Sequence, residues 1–137
     1  MSTKIIKTAG LIVVQDNKLF LAYSNNKKAW YLPGGKVDAG ETSLRSLQRE
    51  IWEELTLKID AEDLQYYCHI TAPAYGEQKD VVMEQDCYLY DLKEAVVPSH
   101  EIGAVKFFDA MEYAKEPAQV VGVIEAFKKL KVDGLLA

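Results

Sequence analysis

The chain has 137 residues, of which 49% are hydrophobic and 27% are charged. This composition is typical of a folded globular protein and excludes long disorder, and the length suits a single domain over residues 1–137 with a core of its own. The net charge of -5, from 16 Lys and Arg against 21 Asp and Glu, opposes non-specific attraction to a polyanion, so we expect no long nucleic acid as a partner.

Two apolar runs near the N-terminus predict two β-strands. IIKTAGLIVV and KLFLAY are separated by Asp16 and Asn17, which are residues suited to a tight turn. The apolar stretch over residues 11–14 is too short for a signal-peptide core or a membrane span. We therefore expect a hairpin, no export and no membrane partner.

The next segment predicts a shaped loop followed by a helix. In AWYLPGG, Pro33 restricts its neighbour, and the two glycines permit backbone conformations closed to other residues. Apolar side chains then recur at spacings of three and four, which predicts an amphipathic helix over residues 42–55; they are Leu44, Leu47, Ile51 and Leu55. Thr42 is suited to the N-cap of this helix.

The second half of the chain predicts three further strands and a helix. LQYYCHI, VVMEQDCYLYD and AVKFF read as strands, and Pro117 is placed to open a helix over QVVGVIEAFKKLK. Cys68 and Cys87 lie in strand-like runs without CxxC spacing, which favours buried free thiols over a disulfide or a metal site. Free thiols fit a cytoplasmic location. The order of elements predicts an α/β fold.

Three glutamates crowd one side of the predicted helix. At 100° per residue, Glu50, Glu53 and Glu54 fall within an arc of about 100° beside the apolar stripe. Carboxylates this close repel one another unless a cation compensates, and Mg²⁺ prefers such oxygen ligands. An acidic, solvated helix face is the alternative interpretation.

The surrounding residues favour the metal interpretation. GKVDAGETSLRSLQREIWEELTL, residues 35–57, resembles the signature of the Nudix (MutT-like) hydrolases at every position but one, because Thr56 stands where the family has glycine. The matching residues are Gly35, Glu41, Arg49, Glu50, Ile51, Glu53, Glu54 and Leu57. The resemblance implies an α/β/α sandwich with a mixed β-sheet between helices. The β-branched side chain of Thr56 places the usual left-handed end of the helix in doubt.

The resemblance also implies roles for individual residues. Glu50, Glu54 and the carbonyl of Gly34 would ligate Mg²⁺, with Mn²⁺ as an alternative ion, and Glu53 would ligate a further ion or act as the base. Arg49 is suited to bracing Glu53 or Glu41, since its guanidinium stays charged. The catalytic set is then Glu53, Glu50 and Arg49.

The function implied is Mg²⁺-dependent cleavage of a diphosphate linkage in a nucleoside diphosphate derivative by water. A short chain favours a nucleoside triphosphate or a related small nucleotide, although Pro73 and Tyr75 give conflicting substrate clues. A non-catalytic nucleotide sensor of the same fold is the main alternative. A prenyl diphosphate isomerase would need an accessible catalytic cysteine, and a homodimer is compatible with the sequence.

Several residues outside the signature are weaker candidates. Among the acidic residues near the loop PAYGEQKD, Glu84 is the preferred further metal ligand, on one strand face with Asp86. Substrate contacts are expected from Gly35, Lys36, Tyr75 and Gln119, the last through its amide. Trp30 and Phe108 could stack on a base, but aromatic residues that flank strands more often belong to the core. His69 and His100 are not expected to be catalytic.

Overall fold

The computed structural model describes residues 3–77 and 80–137. Its elements, in chain order, are β1 (Lys4–Ile12), β2 (Val14–Gln15), β3 (Lys18–Ser24), β4 (Ala29–Tyr31), β5 (Gly34–Lys36), α1 (Ser43–Leu55), a short 3-10 turn (Ala61–Asp63), β6 (Gln65–Pro73), β7 (Val81–Leu89), β8 (Ile102–Phe108), α2 (Ala110–Ala114) and α3 (Val121–Val132).

The first sheet has the strand order β5-β1-β7-β6 and is mixed. β1 runs parallel to β7, with Lys4 opposite Val81 and Ile12 opposite Leu89. β5 and β6 pair antiparallel with β1 and β7, respectively. In the second sheet, β3 pairs with β2, β4 and β8. The predicted first strand therefore divides after Ile12, and its end enters the second sheet.

The predicted hairpin is present between β2 and β3. Asp16 and Asn17 have φ values of 51° and 61°, the left-handed conformations that a two-residue turn needs to match the twist of its strands. The short polar side chains of these residues make that conformation cheaper than it is for most others.

Two helices cover opposite faces of the first sheet. On one face, Leu47 and Ile51 of α1 are fully buried and share a core with Leu11 of β1. On the other face, Phe127 of α3 shares a second core with Ile70 of β6. Each such side chain contributes roughly 1.5–3 kcal/mol on burial. The mixed sheet between helices confirms the predicted fold class.

The C-terminal region differs from the prediction at Pro117. This residue follows α2 in an irregular turn, and α3 begins only at Val121. Asp109 and Glu112 form a capping box that opens α2, a helix that apolar periodicity could not reveal in five residues. Within the described ranges, no helix combines the length and hydropathy needed to cross a membrane.

Candidate active site

The turn that leads into α1 depends on Gly34. Its φ is 140°, and a Cβ at this position would lie 2.0 Å from the carbonyl oxygen of Ala9, so a side chain is excluded. β5 pairs here with β1, with Gly34 opposite Gly10, and the amide of Leu11 donates to the carbonyl of Pro33 at 2.8 Å. The loop is thus pinned to the central sheet.

Both ends of α1 are capped by threonines. Thr42 accepts a hydrogen bond from the amide of Arg45 at 3.1 Å, as predicted for the N-cap. Thr56 has φ 54° and ψ 40°, and its amide donates to the carbonyl of Trp52. The left-handed helix end therefore forms without glycine. The hydroxyl of Thr56 donates to the carbonyl of Val97 at 3.0 Å, which helps to offset the strain of a β-branched residue.

The segment over residues 97–101 covers the last turn of α1. The amides of Val97 and Ser99 donate to the carbonyls of Leu55 and Glu54 at 2.9 and 2.8 Å. Nδ1 of His100 lies 2.8 Å from the carbonyl of Glu53. These bonds satisfy carbonyls that a helix end leaves unpaired. In this structure His100 holds the glutamate-bearing turn in place.

Glu54 is the most deeply buried of the three glutamates, with only 5% of its surface exposed. Its Oε1 accepts a hydrogen bond from the amide of Gly34 at 3.1 Å. Burial raises the pKa of Glu54 to about 8, and the negative charges of Glu50, Glu101 and Glu53 add to that rise. A bound cation would compensate for this accumulation of charge.

Glu50 lies against Gly35. A Cβ on Gly35 would be 2.5 Å from the carboxyl carbon of Glu50, so glycine is what lets this carboxylate approach the loop backbone. Burial raises the pKa of Glu50, while its hydrogen bond from Arg49 opposes the rise. Glu50 and Glu54 therefore both face the Gly34–Gly35 turn.

Arg49 forms hydrogen bonds with carboxylates on the exposed side of this group of glutamates. Its Nε and Nη2 each donate to one carboxylate oxygen of Glu41 at 2.9 Å, and its Nη1 donates to Glu50 at 2.9 Å. Glu53 is 3.6 Å from Nη1. The bond from Arg49 lowers the pKa of Glu41 to about 2. The structure gives Arg49 the bracing contacts that we expected, mainly to Glu41.

Glu53 and Glu101 complete the set of carboxylates. The side chain of Glu53 is 43% exposed, so water reaches it. Glu101 was missed by sequence analysis, although its charge acts on both Glu50 and Glu54. Asn26 donates to Glu101 at 2.9 Å. Only the fold brings this residue, which directly precedes β8, next to the helix, and no spacing pattern in the sequence marks it.

The donor set fits a hard divalent cation by its chemistry. It consists of carboxylate oxygens, two of them with pKa values raised by burial, beside a tightly turned loop backbone. Among residues 3–77 and 80–137, no three His, Cys, Asp or Glu side chains already stand as a ligand set. Glu54 is turned to the Gly34 amide and Glu50 to Arg49, so both would have to reorient around an ion.

Glu84 lies in a groove of about 440 Å³ beside the start of α1, and Glu41 lines the same groove. Its Oε1 is 2.5 Å from Nε2 of His69 and accepts a hydrogen bond from Thr71 at 2.7 Å, while Asp86 is 2.8 Å from Nδ1 of His69. Glu84 and Asp86 share a strand face, as expected. A role for Glu84 in metal binding stays a prediction, because its contacts in this structure are to other groups.

The candidate substrate residues lie in different surroundings. Lys36 is exposed beside Gly35. Tyr75 packs edge-on against Tyr31, with ring centroids 6.2 Å apart. Gln119 donates through Nε2 to the carbonyls of Tyr113 and Glu116, so any contact with a base would use its amide oxygen.

Two buried hydroxyl groups lack a hydrogen-bond partner among the described residues. Within the part of the chain that the structure describes, Oη of Tyr31 and Oγ1 of Thr8 are buried with no hydrogen bond. Such atoms are unfavourable unless a ligand or water satisfies them. Phe108 is 1% exposed and packs against Trp30 at 5.0 Å between ring centroids, so it belongs to the core, the interpretation that the sequence favoured.

These features define an α/β protein with a glutamate-bearing helix set against a glycine turn. A family model described as the NUDIX domain matches residues 4–127. The chain therefore belongs to the NUDIX family.

Individual relatives agree with that assignment. The structure of a MutT protein from Methanosarcina mazei Go1 superposes with a TM-score of 0.78 over 98% of each chain, at 15% identity. A MutT-like protein of Streptomyces ambofaciens is 30% identical over 59 residues, 43% of this chain. An RNA pyrophosphohydrolase of Francisella tularensis subsp. mediasiatica is 26% identical over 91 residues, 66% of this chain. These alignments span 38% and 48% of the two curated relatives.

Proposed function

We propose that the protein is a Mg²⁺-dependent Nudix pyrophosphohydrolase that cleaves a diphosphate linkage in a small nucleotide. The observation that carries this proposal is the position of Glu50 and Glu54 against the Gly34–Gly35 turn, with Glu54 almost wholly buried. Buried, mutually repelling carboxylates are unfavourable in an apoprotein unless they serve a cation.

In this proposal Glu50, Glu54 and the Gly34 carbonyl hold the ion, and Glu101 adds negative charge at its edge. Mg²⁺, or Mn²⁺ in its place, would withdraw electron density from the phosphate oxygens and offset the charge that develops during the reaction. Arg49 keeps Glu50 and Glu41 oriented through its hydrogen bonds. Lys36 and the backbone of Gly35 are proposed to contact the phosphates.

Glu53 is proposed as the general base because it is the most exposed of the three glutamates on α1. It would take a proton from a water molecule as the water oxygen attacks phosphorus. The bond between phosphorus and the bridging oxygen breaks, and the leaving phosphate keeps its electron pair. A positioned base of this kind contributes roughly 10²–10⁴-fold to the rate.

The substrate is proposed to be a nucleoside triphosphate or a related small nucleotide. The unpartnered hydroxyl of Tyr31, beside the ring of Tyr75, supports a polar ligand. Thr8, which lines the groove with Glu41, carries a second such hydroxyl among the described residues. The Francisella relative is named as acting on RNA, so an RNA oligonucleotide with a 5′-triphosphate belongs in the test. The net charge of -5 argues against long nucleic acid.

The test is a panel of substrates with and without Mg²⁺: nucleoside triphosphates and their oxidised forms, ADP-ribose, dinucleoside polyphosphates and the triphosphate RNA. We expect a monophosphate product from at least one of them, only with the ion. Glu53→Gln and Glu54→Gln should abolish turnover, whereas Glu62→Gln, at an exposed site, should not. Turnover that persists in both variants would exclude the mechanism.

Metal binding has a readout that does not depend on turnover. Mg²⁺ should raise the unfolding temperature at neutral pH by mass action. The Glu50→Gln/Glu54→Gln protein should lose that increase. An equal increase in the double variant would place the ion elsewhere.

A non-catalytic nucleotide sensor is the second candidate. It is favoured by the side-chain positions of Glu50 and Glu54, which are engaged by Arg49 and Gly34 rather than set as ligands. Calorimetry that detects nucleotide binding with Mg²⁺, in the absence of any product over the whole panel, would select the sensor.

A further inference from the structure

Cys68 and Cys87 are direct partners across neighbouring strands. The register of β6 and β7 places their Cα atoms opposite each other, next to an irregularity between Tyr66 and Cys68. Residues directly opposite in an antiparallel pair have Cβ atoms about 4.5–5.5 Å apart, and a disulfide requires about 3.5–4.5 Å. A small decrease in the distance between the two Cβ atoms would therefore allow a disulfide bond to form.

The two thiols also differ in character. Both are free and buried. The neighbouring thiol of Cys87 lowers the pKa of Cys68, burial opposes this effect, and the ammonium of Lys129 lowers the pKa further. The same contact and burial raise the pKa of Cys87. Cys68 is thus the sulfur that holds negative charge more readily, and Cys87 is its protonated neighbour.

Cys68 has a route to solvent that Cys87 lacks. β6 is an edge strand of its sheet, and Cys68 lines a groove of about 210 Å³ between this edge and α3, together with Glu125 and Lys129. Cys87 is 0% exposed. A small oxidant reaches Cys68 through this groove, while the bulk of the protein shields Cys87.

We propose that Cys68 and Cys87 form a reversible disulfide when the protein meets a peroxide. The thiolate sulfur of Cys68 attacks one peroxide oxygen, so that an S–O bond forms, the O–O bond breaks and hydroxide leaves. The sulfur of Cys87 then attacks the sulfenic acid. The S–S bond forms, the S–O bond breaks, and the departing oxygen leaves as water with the proton of Cys87. The sulfurs lose two electrons in total, and the peroxide gains them.

The disulfide would close the hairpin that carries Tyr75. The loop between β6 and β7 includes this residue and lies inside the ring that Cys68 and Cys87 would form. Linking directly opposed strands constrains the unfolded chain. The proposal does not depend on the proposed hydrolase activity.

The test uses the full-length chain, reduced and then exposed to hydrogen peroxide. After unfolding and alkylation, the reduced protein should carry two alkyl groups and the oxidised protein none, with both restored by dithiothreitol. A non-reducing digest should contain one cross-linked peptide pair that joins Cys68 to Cys87. Peroxide-treated protein that still takes two alkyl groups, forms only intermolecular links, or loses thiols that dithiothreitol does not restore would overturn the proposal.

Single variants assign the order of events. Cys87→Ala should stop at a sulfenic acid on Cys68, which dimedone traps, and Cys68→Ser should resist peroxide in the native state. If Cys87→Ala does not fold, brief treatment of the wild-type protein with dimedone and peroxide together gives the same information. Trapping on Cys87 rather than Cys68 would contradict the assigned roles.

Discussion

The guanidinium of Arg49 holds both carboxylate oxygens of Glu41 at 2.9 Å. These two hydrogen bonds connect the middle of α1 to the loop before it. A hydrogen bond from the Asp38 amide to Glu41 at 3.0 Å stabilises that loop. The same arginine reaches Glu50. The position of a proposed metal ligand thus depends on a residue that need not touch the ion.

Arg49→Lys tests this dependence. Lysine keeps the charge but cannot form the planar two-bond contact. We expect the Mg²⁺ concentration for half-maximal activity to rise roughly 10–100-fold, as when other supports of metal ligands are removed. Arg45→Lys, on the exposed side of the same helix, is the matched control. Equal Mg²⁺ dependence in the two variants would show that Arg49 does not position the ligands.

Thr56 offers a test of the helix end. Thr56→Val keeps the β-branch at a left-handed φ of 54° but removes the hydroxyl that donates to Val97. We expect it to lower the free energy of unfolding by about 1 kcal/mol. Thr56→Gly loses the same bond but relieves a strain of about 1–2 kcal/mol, so it should be at least as stable as the wild type. Urea denaturation measures both, and a glycine variant less stable than the valine variant would refute the explanation.

His69 should titrate above its ordinary pKa. The hydrogen bond with Asp86 raises the pKa of His69, and the bond with Glu84 adds to it; Lys7 and Glu41 line the same groove. Because the folded-state pKa is raised, the stabilisation is complete below about 6.5, the unfolded value, and is lost as pH rises through the folded-state pKa. NMR titration should show Asp86→Asn lowering this pKa more than Glu84→Gln.

The same titration tests Glu84 as a metal ligand. An ion bound by Glu84 would withdraw that carboxylate from His69 and lower the pKa of His69. A titration curve unaffected by Mg²⁺ would exclude Glu84 from the metal site. His100→Gln assigns the two histidine signals.

The Tyr31→Phe substitution tests whether the buried hydroxyl of Tyr31 contacts the substrate. The buried hydroxyl of Tyr31 has no partner among the described residues, so its removal should raise the free energy of unfolding by about 1 kcal/mol. If the substrate satisfies this hydroxyl, KM should rise about tenfold with little change in kcat. Tyr90→Phe, which removes a hydroxyl bonded to Glu94, should leave KM unchanged. A Tyr31→Phe protein with unaltered KM would exclude this contact.

Local patterns in the sequence predicted the glutamate helix well. The spacing of Leu47 and Ile51 and the capping preference of Thr42 act within a few residues, and the structure has the helix where they placed it. Glu101 could not be found in this way, because its approach to Glu54 exists only after β8 has joined β3. The hydrogen bond that stabilises the left-handed Thr56 likewise involves Val97, a residue distant in the sequence that no local pattern identifies.

The parallel pairing of β1 with β7 also determines when the protein can fold. β1 comes at the start of the chain, yet its central neighbour ends only at Leu89. During synthesis, the edge of β1 that pairs with β7 therefore stays unpaired until most of the protein has left the ribosome. Bringing β1 and β7 together costs loop-closure entropy before the strands can form hydrogen bonds, and this cost slows folding. The glycine turn is paired with β1, so the sheet that supports this turn is complete only after the late step.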